Sequence, residues 1–312
     1  MSIHRYPIPM TLKFVEPSAG TWIVAALEAQ AQQDDVANLA AGQVPGGYEA
    51  YARVFHPARG LDGEAVPWRR IANKRGTTMH GGAQFTPISG ISEEGIALVE
   101  DAWDGEAPSG DGLPAAQLAA MAPLLAANTQ TPEQIFLGLW NGLAFIHGGD
   151  QIEVLVEYDP ELSDEENAAR LAAANAEAKR PAFSDQVRNG PTLHTGSGYR
   201  SYYIFEGNAE DLASPLWART SDGEQRQAPN LAWPQDRAWV LSTELYEDSS
   251  IIAGSKALIE ALTRCPQLEA HEVSIDTRLD LEGDEINPMP EGIPGDDDEP
   301  GLGDILDGEF TS

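Results

Sequence analysis

The chain has 312 residues, with 19 Lys plus Arg against 50 Asp plus Glu, a formal net charge of −31 and an isoelectric point of about 4.3. So acidic a chain is excluded from the generally basic nucleic-acid binders and from proteins that adsorb to anionic membranes, because both need clustered cations. Hydrophobic residues at 42%, with seven Trp, eight Tyr and eight Phe, also exclude wholesale disorder.

The opening residues MSIHRYPIPM hold no apolar stretch of the kind a signal peptide carries, and no apolar run nears the ~18 residues of a spanning helix. With Cys265 as the single cysteine, no intramolecular disulfide can form, and a reducing, cytoplasmic setting is the expectation. Residues 21–40 favour helix by composition. Tyr48–Phe55 reads as a strand with Tyr48, Ala50, Ala52 and Val54 on one face. A short helix over Pro67–Lys74 carries Trp68 and Ile71. Residues 113–127 predict a firmer helix, with Asp111 as N-cap, Pro114 in the first turn, and Leu118, Met121 and Leu125 in one stripe.

Ile135–Trp140 begins a run that predicts a β-hairpin, its arms Leu143–His147 and Gln151–Tyr158 joined by Gly148-Gly149-Asp150. Ser163-Asp164-Glu165-Glu166 matches a capping box, and the Ala/Glu-rich stretch after it predicts a peripheral helical insertion over about 160–182. Tyr199–Phe205 and Trp239–Leu245 read as strands, the second with Trp239, Leu241, Thr243 and Leu245 on one face. Gly254-Ser255 opens a helix with Leu258, Ile259 and Leu262 that Pro266 stops, and Leu268–Val273 predicts a last strand. The elements do not alternate regularly enough for a doubly wound sheet. They predict an α+β body over 1–279, built on a mixed or antiparallel sheet with peripheral helices.

Charge is uneven along the chain. From Asp280 onward there are twelve acids and no Lys or Arg, so the last 33 residues carry −12 and the first 279 carry −19. With four prolines and six glycines, residues 280–312 predict a disordered acidic tail. Leu302, Ile305, Leu306 and Phe310 are hydrophobic anchors within it, suited to a basic groove with an apolar floor on a protein partner. Against this trend, residues 53–75 hold Arg53, Arg59, Arg69, Arg70, Lys74 and Arg75 opposite only Asp62 and Glu64. Arg69, Arg70, Lys74 and Arg75 are therefore candidates for an anion-binding or tail-docking patch, or for a solvated face that pairs with the protein's own acids.

Signatures of chemistry are sparse. The histidines do not pair at the spacing of a zinc-binding helix, no cysteine cluster assists them, and no metal or cofactor is expected. Gly196–Gly198 precedes a strand where a dinucleotide fingerprint needs a helix, and neither a P-loop nor a GxSxG elbow occurs. His80 and His194 lie in Gly- and Thr-rich loops, a setting that suits either ordinary loop residues or a catalytic role. Trp233-Pro234 followed by Asp236-Arg237 reads as a turn entering a strand, with Asp236 and Arg237 as a structural turn clamp or a binding pair.

The segments YRSYYIFEG (Tyr199–Gly207), PNLAWPQDRAWVLSTEL (Pro229–Leu245) and IIAGSKALIEAL (Ile251–Leu262) resemble a group of uncharacterised actinobacterial proteins. GYEAYARVFHPA (Gly47–Ala58) and TPEQIFLGLWNG (Thr131–Gly142) are similar to the same group. The resemblance implies a globular body and a cytoplasmic setting, and it implies no activity. Three functions then compete. The first is a non-catalytic acidic interaction or inhibitor-type protein that binds a protein partner, such as a basic one, with its surface and tail. The second is an enzyme whose site gathers His80, His194, Asp236 and Arg237 from distant loops. The third is a small-anion binder near Arg69, Arg70 and Arg75.

Overall fold

A single antiparallel sheet organises the chain, and its strands are apolar on both faces because helices cover both. The computed structural model describes residues 12–32, 34–110, 112–148, 158–195, 200–220, 223–245 and 247–290. Among these, nine strands form the sheet: β1 (Lys13–Val15), β2 (Ala50–Phe55), β3 (Ile135–Trp140), β4 (Leu193–Thr195), β5 (Arg200–Gly207), β6 (Leu231–Pro234), β7 (Val240–Ser242), β8 (Ser249–Gly254) and β9 (Ala270–Val273). Their order is β1-β5-β3-β6-β7-β8-β2-β9, and β4 lies beside the other half of the β5 edge that β1 pairs. The main helices are α1 (Thr21–Gln30), α2 (Trp68–Arg75), α3 (Phe85–Ser89), α4 (Ala115–Ala127), α5 (Asp164–Ala178), α6 (Ala209–Ala213) and α7 (Lys256–Thr263). The α+β class, the antiparallel sheet and the peripheral helices agree with the sequence.

The period-two alternation of a strand sorts its side chains between two cores. Ala52, Val54, Leu137, Leu139, Phe205, Leu241 and Ile252 face one cluster, closed by Leu118, Met121 and Leu125 of α4 and by Leu258 and Leu262 of α7. Tyr51, Phe136, Tyr202, Ile204, Val240 and Ile251 face the other, covered by Ile23 and Leu27 of α1 and by Val44. Tyr48 packs on this second side, opposite to Ala50, because it precedes the strand and its alternation does not apply. A third cluster joins Phe55, at the end of β2, to Trp68 and Ile71 of α2 and to Phe85 and Ile88 of α3.

Two local expectations change. The first helix stops at Gln30 rather than near 40, and the chain then turns through Asp35 with a left-handed φ of 59°. The expected arm Leu143–His147 is a helical turn, Ala144–His147, that buries Ile146. β3 itself pairs with β5 and β6, strands remote in sequence, on its two sides. Residues 149–157 and the N-cap candidate Asp111 lie outside the described residues.

The packed chain also runs past the charge boundary at residue 280. The Asp284 carboxylate accepts from His80 Nε2 (2.8 Å), the Gln84 amide (3.1 Å) and the Asn287 amide (2.9 Å). Asn287 in turn exchanges side-chain bonds with the Thr78 main chain at 2.7 and 2.9 Å. A Cβ at Gly82 would lie 2.5 Å from the Gly283 carbonyl, so glycine permits this close approach. Satisfied hydrogen bonds to a carboxylate outweigh repulsion among neighbouring acids here. Residues 291–312, with Leu302, Ile305, Leu306 and Phe310, lie outside the described residues.

Candidate binding cleft at the polar end of the sheet

The cationic segment does not form one anion pocket. Arg75 turns inward, and its Nη1 donates to the Pro87 and Ile88 carbonyls at 3.1 and 2.9 Å. Lys74 lies 3.6 Å from Asp104 and above the Trp103 ring. Arg69 and Arg70 remain exposed on α2.

Nor do the candidates for a loop-assembled site converge. His194 on β4 bonds Ser201 (2.7 Å) and Thr192 (3.1 Å). His80 stands near the opposite edge of the sheet, where Gly81 lies against Val273 of β9. Seven inter-strand steps separate β4 from β9, on the order of 30 Å at ~4.8 Å per step. Both ring nitrogens of His80 are engaged, Nε2 by Asp284 and Nδ1 by the Gly82 amide (3.2 Å).

Asp236 and Arg237 belong to the hairpin turn between β6 and β7. Asp236 accepts from Thr129 Oγ1 (2.8 Å), the Gln130 amide (2.7 Å) and the Ala238 amide (3.1 Å). Burial alone would raise its carboxyl, but these bonds outweigh it and hold the group below its ordinary range. Arg237 adopts a left-handed φ of 59° and lies over the Trp22 ring at 4.8 Å, and its carbonyl accepts from Tyr48. The two residues act as a turn clamp with separate partners rather than as an ion pair.

A polar network does gather where β2, β7 and β8 meet the 243–249 connection. Arg53 occupies a sheet position between apolar neighbours and is fully buried. Its guanidinium donates to Ser249 Oγ (2.8 Å), the Ala83 and Gly81 carbonyls (2.9 and 3.3 Å) and Asp248 (3.1 Å). His56 is buried beside it, bonded through Nε2 to Ser250 Oγ at 2.8 Å. Burial, reinforced by the Arg53 charge, lowers the His56 pKa to about 3, so this imidazole is neutral. Farther along, Glu244 accepts from Tyr202 (2.6 Å) and pairs with Arg200. Burial raises the Glu244 carboxyl although Arg200 pulls it down. Glu247 is raised by burial and then by Asp248.

Beside this network lies a cleft of about 810 Å³ between the 84–86 segment and a strap at 278–282. Its lining holds six acids, Asp35, Glu93, Glu247, Asp248, Asp280 and Glu282, and one cation, Arg278. That cation is committed to Asp35 (2.5 Å), Asp280 and Glu282 (3.0 Å). Gln43 also lines the cleft, nine-tenths buried, with its side-chain oxygen bonded to nothing. Among the described residues no three His, Cys, Asp or Glu side chains gather as a metal-ligand set, and no helix is long and apolar enough to cross a membrane.

The cleft residues are not apparent from the sequence because they come from separate segments of ordinary composition. A detectable signal was Arg53, a charge in the apolar alternation of β2 that a buried partner had to match. Comparison with family models, with curated proteins and with solved structures finds no match to this chain.

Proposed function

We propose that this chain is a non-catalytic interaction protein that holds a basic protein partner against its acidic surface. The observation that carries this reading is the cleft lining, where six acids face one cation that is already neutralised. Complementary charge of this kind accelerates encounter and rejects acidic competitors. The anchors Leu302, Ile305, Leu306 and Phe310 extend the contact beyond the cleft, and the cytoplasm is the setting that a lone Cys265 suits. The resemblance to the actinobacterial group belongs to this reading and lends it no activity. An enzyme built on His80, His194, Asp236 and Arg237 has no support, since these residues share neither a partner nor a pocket.

The test is capture from native lysate by the full chain at low and high salt, repeated with a chain ending at Pro290. That end point keeps the Asp284 and Asn287 contacts intact. A stoichiometric basic partner held at low salt and released at high salt is the expected result. Absence of any such partner at low salt overturns the reading, and unchanged capture by the shortened chain removes the anchors from it.

A further inference from the structure

We infer that the acidic end of this chain, residues 291–312, docks on the outward face of α2 and on the apolar dent beside it, with Leu302, Ile305, Leu306 and Phe310 as its anchors. The outward face of α2 is unpartnered. Arg69, Arg70, Asn73 and Lys74 are exposed along it, while Trp68, Ile71 and Ala72 are buried beneath. Around it, Arg59, Lys74 and Arg75 have carboxylates at 3.7, 3.6 and 3.4 Å. Arg69 and Arg70 make no salt bridge among the described residues. In a chain with 50 acids, two adjacent arginines without a carboxylate leave a place for one. Exposed charges alone carry little energy, so the neighbouring apolar surface is the second observation.

That surface lies directly alongside. Ala97, Leu98, Val99 and Glu100 line an open dent of about 510 Å³, and the preceding Ile96 is 62% exposed. A Cβ at Gly90 would lie 2.6 Å from Val99 and 2.9 Å from the Arg75 guanidinium, so the dent abuts the end of α2. Asp101 pairs with Arg75, and the Trp103 ring lies 5.8 Å from Lys74 Nζ, so residues 97–104 run beside the helix. Asp101 and Asp104 are neutralised there by Arg75 and Lys74. Cations beside an apolar floor are what an acidic peptide with hydrophobic anchors requires.

Charge and the point where the chain leaves the body select the occupant. Residues 291–312 hold eight acids and no Lys or Arg. The first 279 residues carry −19, so most of the body repels such a segment, and the face of α2 does not. The outgoing chain is fastened at the end of the same helix. Asn287 exchanges bonds of 2.7 and 2.9 Å with the main chain of Thr78, three residues past Arg75. From Pro290 the chain to Leu302 reaches up to ~40 Å, against a length of ~12 Å for α2, so the anchors can meet the dent. Tethering holds them there at an effective concentration of roughly millimolar, so weak contacts suffice. The contact lies within one chain and stands whether or not a basic partner exists. Where one does, it must displace α2 before it meets the anchors.

The experiment places a nitroxide beside Phe310 in the full chain, through Thr311→Cys with Cys265→Ser, and reads the loss of amide signals by NMR. Loss is expected over 69–74 and 96–103 and not on α5, and it should fade at high salt. Arg69→Gln with Arg70→Gln should lower the docked-to-free ratio about fivefold. Leu306→Ser with Phe310→Ser should lower it about tenfold, with thermal midpoints showing that the variants fold. Amide exchange over 302–310 in chains that keep Cys265 gives a second reading without the label, about fivefold faster in the arginine variant than in the wild type. The inference is overturned if the α2 signals keep their intensity, if the loss spreads evenly over the surface, or if neither variant changes it. Mixing labelled chain with isotope-enriched unlabelled chain identifies loss that arises between molecules. Such loss at α2 would make this face an interface between copies and would also overturn the inference. Capture of a basic partner at the cleft is independent of each of these results.

Discussion

Helix α2 has eight residues and α5 fifteen, yet the shorter helix is tied to far more of the molecule. α2 buries Trp68, Ile71 and Ala72, and its Trp68 ring lies 4.7 Å from Phe55 and 4.9 Å from Phe85. Its first main-chain amides, at Trp68 and Arg69, end on the Glu269 carboxylate at 2.5 and 2.7 Å. α5 buries none of its described side chains, and Leu171 is 41% exposed. It is held by alanine-rich composition and by a capping box, in which Ser163 Oγ accepts from the Glu166 amide while Glu166 accepts from the Ser163 amide. Eight residues are too few for a stable isolated helix, so α2 exists through packing and a remote carboxylate, whereas α5 is specified locally. The difference bears on function, because Phe85 of the cleft wall packs on α2, and no described residue of α5 lines the cleft.

The largest expected effect comes from removing the anchor of α2. Trp68→Ala should cost about 3–5 kcal/mol, from the lost burial of the ring and the cavity left behind. It also strips the His56 carbonyl of the indole N–H that now bonds it at 2.8 Å. Urea denaturation measures the loss, and affinity for a basic partner should fall with it because the cleft wall loosens. A cost below about 1 kcal/mol would break the comparison and show that α2 is held by other means.

Acid should act on the same side of the molecule. The folded pKa of His56 is about 3 against a reference of 6.5, so the unfolded chain binds the proton first. The stability tied to neutral His56 is complete above pH 6.5 and is lost as pH falls from there toward 3. Between pH 7.5 and 5.5 the loss is about 1.4 kcal/mol, from about 1.4 kcal/mol per proton and pH unit. Burial raises Glu244, Glu247 and Glu269, which therefore gain on acidification. The difference between wild type and His56→Gln isolates the histidine. Urea midpoints at the two pH values should show a steeper loss in the wild type, and equal slopes would place a charged or exposed imidazole at this position.

What the sequence disclosed follows the same division. The capping box at Ser163, the alternation of Ala50, Ala52 and Val54 in β2, and the Pro234-Asp236 turn are statements about neighbours along the chain, and all three are found in the structure. The cleft was not legible, because Asp35, Gln43, Glu247 and Asp280 become neighbours only when the sheet has formed. Arg75 counted toward a cationic patch until packing aimed it at two carbonyls. The arm expected at Leu143–His147 is a helical turn for a similar reason, since packing buries Ile146 there.

The smallest effect sharpens the contrast most. Ser163→Ala removes the hydroxyl that caps the Glu166 amide at 3.3 Å and that also bonds the Glu166 carboxylate at 2.7 Å. That hydroxyl is the foremost reason the Glu166 carboxyl lies below its ordinary range. The substitution should cost about 0.5–1 kcal/mol of local helix stability. Because α5 shares no buried side chain with the sheet, the cost should remain where it arises. Amide exchange over 164–168 should quicken about fivefold, while α2 and the urea midpoint of the whole chain stay put. A fall in that midpoint comparable to the fall in Trp68→Ala would mean that α5 is coupled to the core through contacts its exposed surface does not suggest. Local exchange without a global shift would show that a helix this long can be specified by its cap and its alanines while contributing almost nothing to the fold that carries the cleft.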